Sequence, residues 1–145
     1  KDFNDDYSSK VKSAIAENDL QNHVFIYGSK NDTQNIIEQS EIAILTSQSE
    51  GLPVALLEYG LNKKPVVSTE VGEIPLIIVN NENGLLIKPD ISPEDIADVL
   101  YNVYSEKEKW IEKRRLSRLY WEENFNAENN YTTFAQELLS LIEVK

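Results

Sequence analysis

Apolar positions recur in two rhythms along this chain. Over residues 2 to 18, Tyr7, Val11, Ala14 and Ile15 fall three and four apart, which predicts a helix ended by Asn18-Asp19. His23-Val24-Phe25-Ile26-Tyr27 is instead β-branched and aromatic without a break and stops at Gly28, which predicts a buried strand. The two rhythms then alternate. Asn31-Asp32-Thr33 opens a short helix to Gln39, and Ile42-Ala43-Ile44-Leu45 is the next strand. A loop and an apolar helix from 50 to 62 follow, then the strand Pro65-Val66-Val67-Ser68 and a short helix over 74 to 79. Asn83-Gly84 turns the chain into a fourth strand, Leu85-Leu86-Ile87. Strands that are apolar throughout and alternate with helices predict an α/β fold, a Rossmann-like parallel sheet with helices on both faces.

Beyond Pro89 the rhythm is helical only. Ser92-Pro93-Glu94-Asp95 combines a capping residue, a first-turn proline and acids near the dipole, and Ile96, Val99, Leu100 and Val103 make the apolar face. Ser105-Glu106-Lys107-Glu108 has the form of a capping box for a helix running to about Asn124, with Trp110, Leu116, Leu119 and Tyr120 inward. Asn126 caps a last helix carrying Tyr131, Phe134, Leu138, Leu139 and Ile142. Residues 92–145 thus form a helical C-terminal part of a single domain spanning 1–145. No repeat or low-complexity linker interrupts it.

Composition removes several function classes. The net charge is −11, from 25 acidic and 14 basic residues. Nucleic-acid binding needs a basic surface, so that class is excluded, and membrane docking through this segment is not expected. There is no apolar run of membrane-spanning length and no signal-peptide pattern, so the expected location is cytoplasmic. The absence of Cys excludes disulfides and thiolate metal sites. The single His23 reads as a strand residue rather than a base. The chain opens at Lys1 and holds no Met, so it is read as a piece of a longer protein.

The candidate chemistry lies in Glu50-Gly51-Leu52-Pro53-Val54-Ala55-Leu56-Leu57-Glu58. Pro53 suits a first helical turn, which leaves Glu50 in the preceding loop and Glu58 inside an apolar, buried helix. A helix start after glycine is an anion site, and Glu58 lies roughly 7 Å along the axis from Pro53. A sugar, a diphosphate and a ribose would together satisfy Glu50, the helix start and Glu58. Spacing alone favours a buried helix whose Glu58 is paired to a neighbouring backbone or basic group. Gly28 and Glu50 both follow strand ends, where ligands of parallel sheets bind. Lys63 and Lys64 sit at a helix C-terminus, and the dipole explains them better than phosphate does. The basic stretch from Lys107 to Arg118 carries Glu106, Glu108 and Glu112 at pairing distance, which makes it a solvated helix face.

Ser47-Gln48-Ser49-Glu50-Gly51, Glu58, Lys64-Pro65-Val66-Val67-Ser68-Thr69, Val71-Gly72 and Asn83-Gly84-Leu85-Leu86-Ile87, in this order and spacing, resemble one family over nearly the whole chain. The chain resembles the C-terminal, donor-nucleotide-binding domain of a GT-B fold glycosyltransferase of the retaining, family 4 type, truncated at its N-terminal side. The resemblance implies that Glu50 contacts the donor sugar and Glu58 the ribose hydroxyls, the two candidate catalytic residues. It implies contacts to sugar and phosphate from the backbone N–H groups of Gly51, Leu52, Val54 and Ala55, with the base against Gly28 and Ser29. The donor would be a UDP-, GDP- or ADP-sugar. The implied reaction retains anomeric configuration and needs no metal or other cofactor, and this chain has no Asp-x-Asp pair. Ser47 and Ser49 lie near the site by sequence, though loop capping explains them as well.

The sequence also departs from that family. The usual first strand, its glycine-arginine loop and a nearby lysine are absent, as is the N-terminal domain that carries the acceptor site. Gly72-Glu73 stands where two glycines are usual, and Leu76 where a Glu is usual. The expected state is a piece that is inactive alone, partnered in the intact enzyme by its own N-terminal domain. The alternatives are an epimerase-like enzyme acting on nucleotide sugars and a non-catalytic binding domain. A receiver-like domain would need an acidic cluster after a first strand, and Asp5-Asp6 does not supply it.

Overall fold

A computed structural model describes residues 6–143. The chain divides into two compact units, residues up to Thr33 and residues from Gln34 onward. In the first unit, α1 (Asp6–Glu17) is followed by turns and irregular chain. Asp19 takes a φ of 55°, while the Asp19 and Leu20 N–H groups donate to the Ala16 and Ile15 carbonyls. That is a helix end with a left-handed residue, built here on Asp rather than Gly.

The strand expected over 23–27 does not form. Val24, Phe25, Ile26 and Tyr27 are 42%, 64%, 56% and 60% exposed. A strand exists only through a ladder partner, and β propensity without one leaves an extended, unpaired segment.

The second unit holds the sheet. Its elements run α2 (Thr33–Glu38), β1 (Ala43–Leu45), α3 (Val54–Leu61), β2 (Val66–Thr69), α4 (Ile74–Ile77), β3 (Leu85–Ile87), α5 (Pro93–Ser105), α6 (Lys107–Asn124) and α7 (Ala127–Glu143). The strands pair in parallel in the order β1-β2-β3, with Ala43 opposite Val66 and Val67 opposite Leu85. β2 is central and buried at all four positions, whereas Ile44 on the edge strand β1 is half-exposed.

Successive β2 residues face opposite sides, and each side has its own core. Val66 packs with Leu56, Ile74, Ile77, Ile78 and Trp121. Val67 packs with Ile87, Val103 and Trp110. Trp110 and Trp121 are eleven positions apart, close to three helical turns, so one stripe of α6 serves both layers. The sheet is thus covered on both faces, with a helical C-terminal segment, as the sequence predicts.

Trp121, missed in the inward set, is the largest fully buried side chain, while Leu119 is exposed and Tyr120 half-buried. Its seat is Gly60 on α3, where an added Cβ would overlap the indole at Nε1. The side chains of Leu116, Leu138 and Ile142 lie outside the described residues. Tyr131, Phe134 and Leu139 of α7 are exposed.

Candidate functional site

Parallel strands place all their carboxyl ends on one rim. Three loops meet there: 46–53 after β1, 70–73 after β2 and 88–92 after β3. Hydrogen bonds tie them together. The Glu70 N–H donates to the Ile87 carbonyl at 2.8 Å, and the Glu73 N–H to the Gly51 carbonyl at 3.3 Å. The buried Thr69 donates its hydroxyl to the Ser47 carbonyl at 2.6 Å. Gly72, with a φ of 55°, brings its backbone against the Glu50 carbonyl, where any Cβ would clash. The position that departs from a double glycine therefore keeps the one glycine that this approach requires.

Glu50 is half-buried on this rim and accepts the Ser47 hydroxyl at 2.6 Å on Oε1. Gly51 and Leu52 continue the loop, both exposed. Pro53 takes the cap position of α3 rather than its first helical turn, with extended φ/ψ of −74° and 119°, and no side chain caps the helix. The N–H groups at the start of a helix have no partner within it, so those of Val54 and Ala55 are available at the rim.

Glu58 corrects an expectation. α3 is not buried on every side: among its residues Leu56 and Gly60 are buried, and Val54, Glu58 and Leu61 are exposed. The apolar residues outnumber the positions that the sheet can cover. The Glu58 carboxylate has no hydrogen bond or ion pair to a described residue, and exposure removes the desolvation cost that would demand one. Its charge acts on Tyr59. Burial of the Tyr59 phenol, reinforced by the Glu58 carboxylate, holds its pKa above the ordinary 10.0.

Gly28 and Ser29 belong to the first unit. Gly28 has a φ of 64° with open space around its Cα, and Ser29 is exposed. Lys63 and Lys64 precede β2 and so lie at the amino ends of the strands, opposite the rim. Lys64 Nζ donates to the Glu38 and Ser40 carbonyls at 2.7 and 2.9 Å, so it serves the C-terminal end of α2 and not that of its own helix α3, where the sequence placed its role. A hollow of about 490 Å³ between Val79–Asn83 and α6 also lies on the amino side, and the buried Asn83 in its wall is already bonded to the Val79 N–H and Ile77 carbonyl. Among the described residues, no three His, Cys, Asp or Glu side chains converge, and no helix is long and apolar enough to cross a membrane.

The chain is similar to several known proteins. The chain is 29% identical over 141 residues to the amylovoran biosynthesis glycosyltransferase AmsK of Erwinia amylovora, covering 92% of this chain and 34% of that protein. It is 31% identical over 90 residues to the poly(ribitol-phosphate) α-N-acetylglucosaminyltransferase of Staphylococcus aureus, covering 61% of this chain and 18% of the relative. Anabaena Alr3699/HepE, solved with UDP, superposes with a TM-score of 0.87 at 20% identity over 93% of this chain and 37% of its own. The same protein has been solved with UDP-glucose. The chain therefore spans between 18% and 37% of the length of these proteins. The pattern of the glycosyl transferases of group 1 matches residues 4–118, and the chain belongs to that family.

Proposed function

We propose that this chain is the donor-binding domain of a retaining, family 4 type hexosyltransferase, and that it binds a nucleotide-diphosphate sugar on the rim described above. The single observation that supports this most is the uncapped start of α3, flanked by a tethered Glu50 and an exposed Glu58 with no partner among the described residues. A neighbour of the same fold solved with UDP and with UDP-glucose supports the same ligand class.

In this reading the Glu50 carboxylate orients the donor sugar, and Glu58 accepts hydrogen bonds from the ribose hydroxyls. The N–H groups of Gly51, Leu52, Val54 and Ala55 face the sugar and diphosphate, and Gly28 and Ser29 lie by the base. Catalysis then consists of positioning and of stabilising the charge that develops on the departing diphosphate. Helix-start dipoles offset part of the net charge of −11, and the further cations come from the remainder of a two-domain enzyme, which also binds the acceptor. The isolated chain does not complete the reaction, and the transfer needs no metal. The intact enzyme works in the cytoplasm.

Replacing Glu58 by Gln tests the ribose contact. Hydrogen bonds to a charged acceptor are worth about 1.5–3 kcal/mol, so the nucleotide dissociation constant should rise about ten- to a hundredfold. Because Glu58 is exposed, the melting temperature should not move. Unchanged affinity in calorimetry, with or without a lower melting temperature, would sink the assignment.

A further inference from the structure

Glu50 is held from two directions. Its carbonyl rests on Gly72, and its carboxylate is bonded to Ser47, a residue that Thr69 in turn holds by its backbone carbonyl. Thr69, buried at the end of the central strand, donates to the Ser47 carbonyl at 2.6 Å. Ser47 donates its own hydroxyl to Glu50 Oε1 at 2.6 Å. Oε2 has no partner among the described residues. The carboxylate is therefore anchored to the rigid centre of the sheet by one oxygen, and the other is left to a ligand.

We infer that Ser47 is a positioning residue for glycosyl transfer, presetting the Glu50 carboxylate for the donor's sugar, and that Thr69 positions Ser47. The inference rests on reading Glu50 as a sugar contact. A free Glu samples many rotamers and must be ordered when a ligand binds. A carboxylate already fixed by a short, charge-assisted bond loses little freedom at that step. The benefit falls on the sugar alone. The diphosphate meets backbone N–H groups, and the ribose meets Glu58, neither of which touches Ser47.

The same contact could merely close the loop, since Ser47 and Glu50 are three residues apart. The two roles separate in a binding experiment on the full-length protein. Affinities are measured for UDP, GDP and ADP and for UDP-glucose, UDP-galactose, UDP-N-acetylglucosamine, GDP-mannose and ADP-glucose. With the nucleotide that binds, Ser47→Ala should leave affinity for the free diphosphate within about twofold, while the sugar conjugate loses about tenfold. Ser47→Thr, which keeps the hydroxyl, should restore the conjugate, and Thr69→Val should move it in the same direction as Ser47→Ala. Equal losses for nucleotide and conjugate, or no loss for either, overturn the positioning role. A wild-type protein that binds none of the compounds overturns the donor-site reading itself, a separate result.

Discussion

At the scale of single residues, two α3 positions show how the sheet face constrains its helix. Alanine in place of a helical glycine usually stabilises by about 1 kcal/mol. At Gly60 the added methyl would enter the Trp121 indole, whose displacement costs about 1–3 kcal/mol or more. The steric term exceeds the propensity term, so Gly60→Ala should lower the urea midpoint; a raised midpoint would contradict this packing. Tyr59 predicts a pH effect. Its folded pKa lies above the unfolded 10.0, so the folded state holds the phenolic proton more tightly. The resulting stability is intact below pH 10 and is lost as pH rises through the folded value. From about pH 9 to about pH 11, the wild-type melting temperature should fall more than that of Tyr59→Phe. The sequence announced Glu50 and Glu58 by spacing. It did not announce Glu58's exposure or the Gly60–Trp121 seat, because both depend on which face of α3 the sheet covers.

At the scale of elements, the sheet and its helices were legible where local chemistry and tertiary context agree. Ser92 caps α5 by accepting the Asp95 N–H at 3.1 Å, and Asn126 accepts the Glu128 N–H at 2.9 Å, as the pattern implies. The Ser105 capping box does not form. Ser105 ends α5, Glu106 occupies the junction without a side-chain cap, and it pairs with Lys109 instead. Two helices joined with no spacer leave no room for a box. α3 ends with the Lys63 N–H on the Gly60 carbonyl and the Lys64 N–H on that of Tyr59, with Lys63 at a φ of 56°. This is the double bond pattern that glycine normally completes. Lys63→Gly should relieve the left-handed strain and stabilise by about 1 kcal/mol, read in the denaturation midpoint. Destabilisation would argue against that helix end. The segment 23–27 shows the converse case: local propensity predicted a strand, and pairing, which is non-local, decides whether one exists.

At the scale of the whole molecule, fold and family were readable from motif order, while the partition of roles on the rim rests on contacts that no motif displays. Ser47 lies in the loop after β1, Thr69 ends β2 and Gly72 lies in the loop after β2, and they meet only because the strands run parallel. The measurement that tests the central claim most directly is an NMR titration of the chain with UDP, GDP and ADP. Amides from Gly51 to Glu58 should shift with one of the three, and the base should perturb Gly28 and Ser29. Shifts confined to other surfaces, or none at millimolar nucleotide with the full-length protein equally silent, would contradict a donor site at the start of α3.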